Sequence, residues 1–320
     1  MTRTPLPRRS GALLALLGLL FLAACQTVPA PTRPPEQAPV VPPPVVAPPT
    51  EPPVPRPPPK PPRIGLALGG GAARGFAHIG VIQVLEESGI RPDLVVGTSA
   101  GSLVAALYAS GKGGAALGQL ADSMDESAFT DWSFPGRGLI RGEALARYVR
   151  ENTGNRTIEK LPLPLGIVAT DLDSGAPILF QRGDPGVAVR ASSAVPAVFE
   201  PVKIGTHEYV DGGLTSPVPV RAARDMGADV IIAVDISQLP DGGPTGDALH
   251  MLLQTFSIMS RSINELELKQ ADVVVRPRLP GVAGTDFSVR EKNIQAGRQA
   301  AIALLPTIKA RLAAQVPLTQ

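Results

Sequence analysis

Asp93-Leu94-Val95-Val96-Gly97-Thr98-Ser99-Ala100-Gly101 reads as an apolar strand, a very tight turn and the first residues of a helix. The helix begins at Ser99 and continues through Leu103, Ala106 and Tyr108. Small residues around Ser99 let the backbone bend sharply and lift the hydroxyl clear of a sheet, the arrangement of a nucleophile elbow with Gly97 and Gly101 as its flanks. A serine at a helix N-terminus also meets the positive end of the helix dipole, which favours an oxyanion there. The string G-x-S-x-G arises by chance in chains rich in Gly and Ala. Its setting, and two further glycine motifs, give it weight.

The upstream motif is Gly69-Gly70-Gly71-Ala72-Ala73-Arg74-Gly75, which follows the apolar run Ile64-Gly65-Leu66-Ala67-Leu68. Consecutive glycines let several backbone N–H groups point into one small space, as an oxyanion hole requires, and Arg74 adds positive charge to the same loop. The downstream motif is Asp211-Gly212-Gly213, after His207-Glu208-Tyr209-Val210. A carboxylate on a glycine turn can approach a serine closely and act as its general base.

An oxyanion loop, then G-x-S-x-G, then D-G-G, in that order, resembles the patatin-like phospholipase family. The resemblance runs from about Arg63 to at least Ser237. It includes Gly75-Phe76-Ala77-His78-Ile79-Gly80, Ala169-Thr170-Asp171-Leu172-Asp173 and Ala191-Ser192-Ser193-Ala194-Val195-Pro196. It implies a Ser–Asp dyad with Ser99 as nucleophile and Asp211 as base, and it places the oxyanion-loop motif on Gly70, Gly71, Ala72 and Arg74. It also implies a lipid substrate of the phospholipase or lysophospholipase type. The site chemistry alone says carboxylic ester, and leaves thioesters and acyl transfer open.

Outside these motifs, strands and helices alternate. Apolar runs at Leu165–Thr170, Ile178–Gln181, Val230–Asp235 and Asp272–Arg276 read as further strands, several of them buried on both faces. Helical spacing covers Phe76–Ser88, Gly142–Asn152, Pro219–Met226, Gly246–Gln270 and Val289–Leu312. The expectation is an α/β fold, a three-layer α/β/α sandwich with a mainly parallel sheet, formed by one domain over residues 63–320. Asp171 and Asp173 are expected to organise a strand end. No spacing of His, Asp and Glu looks like a metal site, and no cofactor is expected.

The amino terminus reads as an address. Arg3, Arg8 and Arg9 precede a short apolar run from Gly11 to Ala24, which ends in Leu22-Ala23-Ala24-Cys25. Spanning a bilayer takes roughly 20 apolar residues, so this run reads as an export signal over residues 1–24. Its end looks like a bacterial lipobox, with Cys25, the chain's one cysteine, as the lipidation site and mature first residue. Gln26 in place of Asp implies an outer-membrane destination if the source is Gram-negative. Residues 25–62 are mostly Pro with Val, Ala and Thr, cannot form a core, and read as a disordered spacer. The expected partners are a phospholipid or other acyl-ester substrate and the membrane that holds the anchor. A net charge of +2 implies no nucleic-acid partner.

The aromatic stretch from Phe129 to Ile140 holds the chain's only tryptophan, Trp132. It reads either as a lid or interfacial loop beside an acyl pocket, or as a local cluster pinning a loop to the core. Three alternatives to the dyad enzyme stand beside it. A Ser–His–Asp hydrolase would need His78, His207 or His250, and would place several strands before its elbow, where this chain has one. A dinucleotide-binding turn fails because Arg74 stands where a third glycine belongs. A non-catalytic envelope lipoprotein on the same fold would label with no serine probe.

Overall fold

The computed structural model describes residues 61–124, 131–133, 136–237, 246–279 and 287–314. Cys25, the export signal and all but the end of the Pro-rich spacer lie outside the described residues, as do Phe129, Thr130, Phe134 and Pro135 of the aromatic stretch. From the amino end the elements are β1 (Ile64–Leu68), a 3₁₀ turn (Ala72–Gly75), α1 (Phe76–Glu87), β2 (Leu94–Thr98), α2 (Ala100–Ala109) and α3 (Gly114–Asp122). Then come β3 (Gly138–Ile140), α4 (Glu143–Asn152), β4 (Leu165–Asp171), β5 (Pro177–Phe180), α5 (Pro185–Ser192), β6 (Ala197–Phe199), β7 (Val202–Ile204) and β8 (His207–Asp211). The chain continues with α6 (Val220–Asp225), β9 (Val230–Val234), α7 (Ala248–Glu267), β10 (Val273–Val275) and α8 (Arg290–Ala314).

The main sheet runs β10-β9-β1-β2-β4-β8-β7, with β5 also paired to β4. Its first five strands are parallel, and β5, β8 and β7 join antiparallel. This is the expected α/β architecture, a mostly parallel central sheet with flanking helices. Residues alternate between its two faces. Leu66, Leu68, Ile232 and Val234 pack with α1, α2 and α8, whereas Ala67, Ile231 and Ala233 pack with Val220 and Ala223 of α6.

Local signals account for two of the elements that patterning missed. Periodicity passed over α5, yet Asp184 caps it by accepting the N–H groups of Gly186 and Val187, and Pro185 opens its first turn. The stretch before Asp211 is a full strand, β8, reached from β7 through a turn in which Gly205 has φ +63°. Where α1 crosses α8 the backbones nearly touch. A Cβ at Gly80 would stand 1.9 Å from the Ile294 carbonyl oxygen, so only glycine allows the crossing. That crossing brings the buried Asn293 over the 3₁₀ turn, where its amide donates to the Ala73 carbonyl at 3.2 Å.

Candidate active site

Ser99 sits between β2 and α2 with φ 52° and ψ −125°, a conformation costly for any residue with a side chain. The bend is possible only because its neighbours lack side chains. A Cβ at Gly97 would stand 2.3 Å from the Gly101 carbonyl oxygen, and one at Gly101 would stand 2.2 Å from that of Leu68. Three hydroxyls hold the bend. The Ser99 N–H donates to Ser192 Oγ at 2.9 Å, Ser192 Oγ donates to the Val168 carbonyl, and Ser102 Oγ donates to the Ser99 carbonyl at 2.6 Å. Thr98 Oγ1 donates to the Ser216 carbonyl at 2.8 Å.

Asp211 ends β8. On β4, Val168 pairs with Thr98 and the next residue, Ala169, with Asp211; β5 holds the other edge from Ile167 to Thr170, so β2 and β8 follow one another end to end along a single edge of β4. The ends of β2 and β8 therefore meet, a Cβ at Gly212 would stand 3.0 Å from Thr98 Cγ2, and the Asp211 carboxyl lies beside the Ser99 hydroxyl. Asp211 is buried; its Oδ1 accepts the Gly213 N–H at 2.7 Å, and its Oδ2 has no full hydrogen-bond partner. Burial pushes the carboxyl up to about 6, opposed by the neighbouring Ser99 hydroxyl and by the Gly213 N–H. Gly212 is as constrained as the elbow, since a Cβ there would stand 2.2 Å from the Val168 carbonyl oxygen.

The glycine loop lines the same space, but its members differ in what they offer. The N–H of Gly69 donates to Val234 and that of Gly70 to Pro217, at 3.0 and 2.9 Å. Gly70 therefore supplies room rather than a free donor, a departure from the oxyanion role its motif position implies; a Cβ there would stand 3.2 Å from Ser99 Cβ. The N–H groups of Gly71 and Ala72 have no acceptor among the described residues. Ala72 has φ +49°, a second strained residue beside Ser99. Arg74 Nε donates to the Ile236 carbonyl at 2.9 Å, tying the loop to the segment after β9.

Each histidine is engaged away from Ser99. His78 is fully buried, donates Nε2–H to the Gly69 carbonyl at 2.8 Å, and is held neutral because burial lowers it to about 4. It positions the glycine loop. His207 Nδ1 meets Asp171, and His250 Nδ1 meets Asp247, both at 2.8 Å on the surface. Asp171 organises its strand end, accepting the N–H groups of Asp173 and Ser174. Nothing in the sequence around Ser192 signals its grip on the elbow, which lies 93 residues earlier in the chain. Trp132 is 69% exposed and forms a β-bridge with Ile140, so among the described residues it is not pinned in the core.

Residues 66–224, which span the elbow, the glycine loop and the Asp211 turn, match the family described as patatin-like phospholipase. The domain belongs to that family. An uncharacterized NTE family protein of Mycobacterium tuberculosis is 38% identical over 189 residues, covering 58% of this chain and 52% of that protein. Patatin-like phospholipase domain-containing protein 6 of Mus musculus is 37% identical over 182 residues, 54% of this chain and 13% of that protein. The chain thus spans about half the length of the mycobacterial relative. VipD from Legionella pneumophila, at 14% identity, shares the fold with a TM-score of 0.52, covering 78% of this chain and 67% of that one. The patatin-like family supports lipid hydrolysis as the chemistry of this domain. Helices α7 and α8 lie beyond the matched segment.

Proposed function

We propose that the protein is a lipid acyl-ester hydrolase of the phospholipase or lysophospholipase type, working through a Ser99–Asp211 pair without a histidine. The observation that carries the reading is the strained Ser99 beside a buried carboxylate whose pKa is pushed up to about 6. Such a carboxylate is ionised at neutral pH yet is a stronger base than an exposed aspartate.

Asp211 takes the hydroxyl proton as Ser99 Oγ attacks the ester carbonyl carbon. The electron pair of the C=O bond moves to oxygen, and the N–H groups of Gly71 and Ala72 are the donors placed to receive that oxyanion. The tetrahedral adduct collapses, the C–O bond to the leaving alcohol breaks, and Asp211 returns the proton to that alcohol. Water then repeats the sequence: Asp211 takes its proton, hydroxide adds to the acyl-serine, and Ser99 leaves with the proton as the fatty acid departs. Losing one oxyanion donor in such a site costs about 3 kcal/mol, which is the scale of help a lone carboxylate base needs.

The same reading places the enzyme in the cell envelope, held by lipid on Cys25, in the outer membrane if the source is Gram-negative. Acyl chains on one residue anchor firmly, since about 0.8 kcal/mol per buried methylene accumulates along each chain. A fluorophosphonate probe tests the chemistry, because it esterifies only an activated serine. Labelling of the wild type that Ser99→Ala abolishes supports the reading, and an unlabelled wild type would point to the non-catalytic lipoprotein instead.

A further inference from the structure

Helix α7 is built inside out. Its buried positions are polar: Ser260, Asn264 and Glu267. Ser260 Oγ donates to the Gly213 carbonyl at 2.9 Å, and Glu267 accepts Ser216 Oγ at 2.8 Å and the Arg221 N–H at 3.2 Å. The helix is thereby fastened to the loop that follows Asp211. Its outward side carries large apolar residues, with Arg261 and Glu265 paired toward its carboxyl end. Met251, Ile258 and Leu266 recur at seven- and eight-residue spacing, which lines them up along the helix, and they are 58%, 51% and 67% exposed. From Met251 to Ser260 the helix has no charged residue.

This stripe borders an apolar cleft. Leu252, Phe256 and Met259 of α7 face Val195, Pro196 and Leu214 across it, and the cleft is open to solvent. Its floor adjoins the acid turn, since a Cβ at Gly213 would stand 3.0 Å from both the Phe256 ring and Asp211 Oδ1. On the far side of Pro196, β6 pairs with β3, whose Ile140 is bridged to the exposed Trp132.

We propose that the outward stripe of α7 docks on the surface of a phospholipid bilayer, and that the adjoining cleft takes an acyl chain drawn from it. The acyl-chain half rests on the hydrolase reading above, and the docking half draws on the proposed anchor at Cys25. Leaving so many large apolar side chains in water marks an interaction surface. A lipid surface fits because the stripe runs directly into a cleft that ends at the acid turn. The chain outside the structure fits it too. About 35 residues separate Cys25 from Pro61, a contour length of at most roughly 120 Å, long enough for a domain with the proposed anchor at Cys25 to touch the membrane that holds it. No described helix is long and apolar enough to cross a membrane. With Asn264 and Glu267 on its other face, α7 would lie in the interface plane.

The test uses the full chain with Cys25→Ser, which removes the lipidation site and the only native thiol. An environment-sensitive fluorophore is placed on Met251→Cys, on Ile258→Cys, or on Glu151→Cys as a control. Glu151 is exposed on α4 beside Asn152, whose carbonyl meets Lys112 just past the end of α2 remote from Ser99. With vesicles of equal parts phosphatidylcholine and phosphatidylglycerol, emission should shift to the blue at 251 and 258 and stay unchanged at 151. No shift at 251 and 258, or an equal shift at 151, overturns the proposal. The double variant Met251→Asp, Ile258→Asp should weaken vesicle binding at least about tenfold while cleavage of a soluble short-chain ester stays within about twofold. If the chain instead dimerises and this variant is monomeric with vesicle binding unaltered, the face belongs to a second copy and the proposal fails. If no form cleaves any ester, the hydrolase reading falls, and the fluorescence still decides the docking.

Discussion

The side chain of Ser192 joins the nucleophile to the sheet: its Oγ accepts the Ser99 N–H at 2.9 Å and donates to the carbonyl of Val168, the residue paired with Thr98. One buried hydroxyl thus satisfies a donor and an acceptor that the elbow and β4 would otherwise leave exposed to each other. It also blocks the strained Ser99 from relaxing to an ordinary helical φ.

Ser192→Ala should therefore act on turnover. Both freed groups are buried, at about 1–3 kcal/mol each, so the melting temperature should fall. Misplacement of a nucleophile by even a fraction of an ångström lowers kcat, here by about tenfold or more. KM for a soluble ester should stay nearly constant, because Ser192 does not face the cleft. A KM rise with unchanged kcat would assign Ser192 to substrate binding.

Asp211→Asn should abolish turnover and stabilise the fold. The folded pKa of Asp211, about 6, lies above the unfolded value of 3.8. Between those values the native state binds more protons than the unfolded chain, so stability declines as pH rises through that window, and the full penalty holds above pH 6. Asparagine keeps an acceptor for the Gly213 N–H and carries no charge to bury. The expected gain is on the order of 2–3 kcal/mol. Thermal melts at pH 8 should show a larger gap between variant and wild type than melts at pH 4.5.

The pH dependence of kcat/KM follows from the same group. The base works only when ionised, so the rate should be level above pH 6.5 and fall about tenfold per pH unit well below 6. A limb centred near 4 would mean that the carboxylate titrates as an exposed one.

Gly101→Ala should disable the protein more than its small volume suggests. The added methyl would lie 2.2 Å from a backbone oxygen of β1, which no side-chain rotation relieves. A loss of about 2 kcal/mol or more, together with lost fluorophosphonate labelling at Ser99, is the expected result. Gly205→Ala, with nothing within 4 Å of its new methyl, should leave labelling intact despite its positive φ.

Cys25→Ser should abolish metabolic labelling by an alkyne fatty acid and let an alkaline carbonate wash strip the protein from the membrane, where the lipidated wild type stays. It should leave hydrolysis of a soluble short-chain ester untouched. Persistent fatty-acid labelling of the variant would reject Cys25 as the anchor.

Much of the site was open to reading along the chain because its demands are short-range. Asp93 to Gly101 announces a strand, a bend and a helix within nine residues, and the bend needs glycine where it does for steric reasons acting over four residues. Other parts gave no such signal. Gly70 looks like an oxyanion donor until its N–H is found committed to Pro217, far along the chain. The periodicity of α7 marks it as amphipathic without saying which side faces in, and here the polar side does. His78 resembles a catalytic histidine in type, and only its burial against the Gly69 carbonyl makes it structural.

The conformation at Ser99 was written into its neighbours, since hard-sphere contacts within one turn leave the backbone no other route. The meeting of Ser99 with Asp211 was not, because it depends on β8 pairing antiparallel to the edge of β4 that β2 also occupies, just beyond the end of β2, while β5 takes the other edge. Contacts between distant segments are chosen by the packing of the whole sheet, and no local pattern encodes which edge a late strand will find.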